Sequence, residues 1–146
     1  MRSISLQLEK WYPLIVSIFI SGFAYHKCFF LNNYESLLTS SLTIISIFIG
    51  FVGTLAGIIL SSNGKAIAFM KQIGKLALLM SYIWRSLEIS FIFVFYCILL
   101  VIYPTLITTH TWISSVWAFI GSYSLLLIHR SITRSVSLLK SAAEDI

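Results

Sequence analysis

Charge is what this sequence has least of. Only 10% of its 146 residues are charged, 5 acidic against 10 basic, where a soluble domain carries about 25%. With 58% apolar and 15% aromatic residues, so few charges could not keep the surface dissolved, which excludes a soluble enzyme. Cysteine is nearly absent: Cys28 and Cys97 stand far apart and outside any paired-spacing motif, which excludes a disulfide framework and a thiolate zinc site. The sequence also lacks His-Glu-x-x-His, G-x-S-x-G and a P-loop, so no enzyme and no cofactor are expected.

What is present is a set of long apolar runs at Trp11–Tyr25, Leu37–Leu60, Leu76–Tyr103 and Trp112–Ile128. A spanning helix uses about 20 residues, so four such helices with short connections fill residues 1–146 and leave no room for a separate soluble domain. The predicted fold is therefore a single all-α membrane domain of four transmembrane helices. The first run reads as an uncleaved span rather than a secretory signal, since Glu9 interrupts its basic flank and no small-x-small site follows it. Phe29, Phe30 and Leu31 can extend it past His26 and Lys27. Pro104 ends the third run, because proline lacks an amide donor and restricts the residue before it.

The basic residues set an orientation. Arg2, Lys10, Lys65, Lys71, Lys75, Arg85, Arg130, Arg134 and Lys140 all fall on one side of this arrangement, and Lys27 alone on the other. The positive-inside rule then puts both termini and the second connection in the cytoplasm. Aromatic anchors agree: Trp11, Tyr12, Tyr82 and Trp84 fall at inner ends, and Tyr25, Tyr34, Tyr103 and Trp112 at outer ends.

Three features carry functional expectations. The second run holds Ser46, Gly50, Gly53, Thr54, Gly57 and Ser61 at spacings of three and four. This stripe of small side chains serves either packing within one chain or a subunit interface of a homo-oligomer, since lipid tails give helices no hydrophobic drive to associate. Ser17 with Ser21, Ser86 with Ser90, and Ser114 with Ala118 and Ser122 are shorter stripes expected to receive it.

The connection over residues 63–75 is the second feature. Lys65, Lys71, Gln72 and Lys75 fall in one helical arc, with Phe69, Met70, Ile73, Leu76, Ala77 and Met80 opposite. Asn63 and Gly64 are expected to turn the chain before this amphipathic helix, which then continues into the third span. With Arg130 and Arg134 it forms a basic face for membrane lipid or a cytoplasmic protein partner, with Glu144 and Asp145 at the end of the tail. No recognition motif or aromatic platform accompanies the charges, so direct nucleic-acid binding is not expected.

Third, Arg85 and Glu88 are the charges nearest a span interior. Glu88 lies about 22 Å from Tyr103 along a helix, one to two turns inside a core of about 30 Å. Residues three apart share a helix face, so an Arg85–Glu88 ion pair is expected, against an ion path or a polar subunit contact. His26, His110 and His129 fall at different membrane edges and cannot converge on one metal.

The stretch FVGTLAGIIL at Phe51–Leu60, the basic segment after it and the acidic Glu88 in SLEISFIF resemble small four-helix inner-membrane proteins of bacterial anti-phage systems. These include the RexB-like phage-exclusion proteins and the KwaA membrane subunits of Kiwa systems. The similarity spans roughly Gly50 to Tyr103 and carries no catalytic positions. It implies a defence role, as a membrane anchor or sensor for a cytoplasmic effector or as an ion-conducting effector that depolarises the cell. An accessory subunit of an unrelated membrane complex fits the composition equally well.

Overall fold

The computed structural model describes residues 2–27, 34–61, 65–72 and 74–144. Every regular element among the described residues is an α-helix: α1 (Arg2–Lys27), α2 (Tyr34–Ser61), α3 (Lys65–Gln72), α4 (Lys75–Ile102), α5 (Pro104–Thr109) and α6 (Thr111–Glu144). Among the described residues three stretches, Tyr34–Ser61, Leu76–Ile102 and Trp112–Ser137, are long and apolar enough to cross a membrane. The chain is thus all-helical and of membrane-protein character. Cys28, the extension at Phe29, Phe30 and Leu31, the turn at Asn63 and Gly64, Ile73 and Asp145 lie outside the described residues.

α6 joins the bundle by packing on both α1 and α4, and α4 contributes one continuous buried stripe. Leu79, Ile83, Ser86, Ser90, Phe93, Cys97 and Leu100 are buried along it, and their alternating steps of four and three residues make a heptad seam. α2 meets that seam along one narrow line, Leu38, Ile45, Val52 and Ile59, each seven residues from the next. Tyr34, Leu42, Phe48, Ile49, Leu55 and Ala56 are partly buried on either side of that line, and the opposite face of α2 stays open.

α6 packs on α4 through closer contacts. The Ser90 and Ser124 hydroxyls share a hydrogen bond of 2.8 Å, the Trp117 indole N–H donates to the Cys97 sulfur at 3.3 Å, and the Phe93 and Trp117 rings lie 5.9 Å apart. Gly121 permits this approach: a Cβ there would sit 2.9 Å from the Phe93 ring carbons Cε2 and Cζ. On the other side of α6, the Ser21 hydroxyl of α1 donates to the Ser115 carbonyl at 2.9 Å, while Ser17 and Ala24 are buried. Ser90 and Ser21, each from a short serine stripe, therefore meet α6 at Ser124 and Ser115 rather than the glycines of α2.

Phe93 is 1% exposed and hemmed in by Trp117, so its ring has little room to yield. Gly121→Ala should destabilise the fold by about 1–3 kcal/mol, the usual range for overpacking. A lowered thermal midpoint of the purified protein is the expected result; an unchanged one would mean that the ring can turn away.

Two elements differ from their sequence reading. Residues after Ile128 do not form a tail: α6 runs on to Glu144, with Ser131 and Ser135 buried at 2% and 0% exposure. They continue the buried row of Ser124 and Ile128 at steps of three and four, on a helix that packs against α1, α3 and α4. The basic connection is also not continuous with α4. Gly74, at φ 70°, takes the left-handed conformation and its N–H bonds to the Lys71 carbonyl at 3.3 Å, which closes α3 before α4 begins. α4 stops at Ile102, and Pro104 opens α5 at a position where a missing N–H costs nothing.

Candidate functional site

The outer surface of α2 is the first candidate. At about 100° per residue, Ser46, Gly50, Gly53, Thr54, Gly57 and Ser61 lie about 80–180° around the helix from the buried line, and all six are exposed. A Cβ placed on Gly50, Gly53 or Gly57 would meet nothing within 4 Å. Among the described residues, nothing of the same chain packs against these glycines. The Thr54 hydroxyl donates to the Phe51 carbonyl at 2.8 Å and the Ser61 hydroxyl to the Ile58 carbonyl at 3.3 Å. With these donors satisfied inside the helix, the face is a smooth shallow channel, edged by exposed Ile47, Phe51 and Ile58.

The basic end is the second. Lys71 is exposed on α3, which packs against α4 and α6. Lys65 and Lys75 begin α3 and α4; their side chains are outside the described residues. Arg134 is half-buried and engaged with a partner. Arg130 is half-buried and turned toward α4, its guanidinium 5.1 Å from the centre of the Tyr82 ring. It is thus withdrawn from the exposed basic face with which its charge groups it.

Arg85 and Glu88 are both exposed on α4, yet among the described residues no ion pair joins them. Arg85 turns to the α6 side, where it shares a cavity wall with Tyr82 and Arg130. Glu88 lies nine residues from both Leu79 and Cys97, about 180° from the buried seam. Its carboxylate faces away from the bundle.

The interior offers polar groups of one kind. Among the described residues the buried polar side chains are serines, and Ser17, Ser86, Ser90 and Ser135 donate to carbonyls of their own helices at 2.6–2.8 Å. That is how serine behaves as a packing residue. His26, His110 and His129 are exposed, and among the described residues no three His, Cys, Asp or Glu side chains gather as metal ligands.

Two features escaped the sequence reading. An apolar groove of about 360 Å³ opens between α1 and α2, with Ile20, Phe23, Ile44 and Leu125 at its sides and Phe93 and Trp117 at its floor. No local signal marks it, because it exists only where two helices share neighbours without packing on each other. The other is the cavity beside Arg130. Comparison with protein families, curated proteins and solved structures yields no match.

Proposed function

We propose that this is a small membrane subunit that associates with copies of itself through the outer face of α2 and holds a cytoplasmic protein partner at its basic end. The observation that carries the reading is the open space over Gly50, Gly53 and Gly57. Glycine costs a helix about 1 kcal/mol relative to alanine, and three on one face with no neighbour among the described residues of the chain are explained by a neighbour outside it.

In this reading α1 supplies a fourth span. Its Phe19 and Phe23, 79% and 64% exposed, then face lipid. Nine of the ten basic residues share a side, so both termini and α3 are cytoplasmic, and the resemblance makes the membrane a bacterial inner membrane. The biological setting is anti-phage defence, on the resemblance of the Gly50–Tyr103 stretch. Purification in mild detergent, with mass measurement of everything that co-elutes, tests association and partner together; a single chain that elutes alone would refute both.

A second reading, an ion-conducting effector, draws on Glu88, an outward carboxylate with no ion-pair partner among the described residues, which an assembly could gather around a shared axis. Glu88→Gln keeps the shape and removes the charge. The anchor reading predicts that infected cells carrying this variant keep the membrane-potential record of the parent, followed with a voltage-sensitive dye. Loss of a depolarisation that the parent produces would transfer the assignment to the channel.

A further inference from the structure

A cavity of about 320 Å³ lies between α1, α4 and α6 at the basic end of the bundle. Arg85, Arg130 and Ser131 form its polar wall, and Trp11, Tyr82 and Tyr123 its aromatic one. Ser131 is 2% exposed, and among the described residues its hydroxyl has no hydrogen-bond partner; the Arg130 Nε is likewise buried without one. Stacking over Tyr82 orients the Arg130 guanidinium but does not neutralise it. No carboxylate is among the described residues that line the space. Two cations and an orphan hydroxyl around one cavity leave a deficit that an anion with several acceptor oxygens would fill.

Depth identifies the anion. Arg85 is 18 residues from Tyr103 and Ser131 is 19 from Trp112, which at about 1.5 Å per residue puts both about 27–29 Å from that aromatic level. In a hydrocarbon core of about 30 Å this is the opposite edge, the level of lipid phosphates. Leu14 and Leu127 line the same cavity, each about one turn nearer the apolar interior than Trp11 and Ser131. The polar wall thus sits at headgroup level and the apolar wall at acyl level. A zwitterionic headgroup carries its own cation, whereas an anionic one leaves its negative charge for the arginines.

We propose that this cavity is a binding site for the phosphate of an anionic phospholipid, with Arg85, Arg130 and Ser131 donating to the phosphate oxygens and Leu14 and Leu127 against the start of the acyl chains. The lipid then acts as a wedge that ties α1, α4 and α6 together, independently of how chains associate or what they carry.

Native mass spectrometry of the detergent-purified protein tests the site, with phosphatidylglycerol, phosphatidylcholine or inorganic phosphate added. Phosphatidylglycerol should be retained in preference to phosphatidylcholine, and Arg85→Gln with Arg130→Gln should lower its affinity about tenfold or more. Ser131→Ala guards against a variant that merely fails to fold. Removing an unpartnered buried hydroxyl should leave the thermal midpoint level or higher, while the affinity falls about fivefold. Equal retention of the two lipids, or parental retention by both variants, would overturn the proposal. Displacement of phosphatidylglycerol by inorganic phosphate would assign the site to the free ion and overturn the lipid assignment.

Discussion

Gly53→Leu combined with Gly57→Leu should reduce the assembly to single chains while leaving each chain folded. Neither new side chain meets an atom of its own chain within 4 Å of the Cβ, and leucine is a better helix former than glycine by about 0.8–1 kcal/mol per residue. The single chain should therefore be as stable as the parent or more so. Between two copies, the same substitutions put bulk where backbones would otherwise touch, and close van der Waals contact is what holds helices together in lipid. Light scattering of the purified variant should report the mass of one chain, 16.5 kDa, with an unchanged thermal midpoint. Gly121 makes the contrast: it is the glycine whose Cβ would collide inside the chain, so its substitution should lower stability. An unaltered assembly size after both leucine substitutions would show that this face of α2 meets lipid.

The second large effect is expected at the basic end. Changing Lys65, Lys71 and Lys75 to Glu shifts the charge by two at each position, from +5 to −1. A partner held by complementary charge should be lost from the purified complex, while the protein stays in the membrane fraction, since the apolar runs that insert it are untouched. The parent complex should also weaken as salt rises, because exposed charges are screened within about 8–10 Å at physiological ionic strength. Full retention of the partner by the reversed protein would remove α3 from consideration as its docking surface.

Some of this was legible in the sequence and some was not, for physical reasons. Runs of apolar residues located α2 and α4 to within three residues at each end, because a long helix in an apolar medium needs little beyond length and hydropathy. The helical course of residues 129–144 was hidden, since Ser131 and Ser135 read as polar although they are small enough to be buried between helices. The stripe on α2 was visible, but a smooth small face looks the same whether it turns inward or outward. Its direction follows only from the choice of Leu38, Ile45, Val52 and Ile59 as the buried line. Spacing put Arg85 and Glu88 on neighbouring parts of one face, yet a partner on another helix, here the Tyr82 and Arg130 side of the cavity, draws Arg85 away. Arg130 itself looked like one more charge on a basic tail because its stacking on Tyr82 is a tertiary contact.

Oxidative cross-linking in native membranes tests the central claim, that α2 is the interface between copies. Gly57→Cys, in a background where Cys28 and Cys97 are replaced, puts one thiol on the small-residue face, and Phe19→Cys puts one on the exposed side of α1 as the comparison. A disulfide forms only where Cα atoms approach to about 4.4–6.8 Å, the separation that a glycine-lined helix contact allows. The account predicts a species of twice the chain mass for Gly57→Cys and none for Phe19→Cys. Equal cross-linking at both positions, or none at position 57, would contradict it.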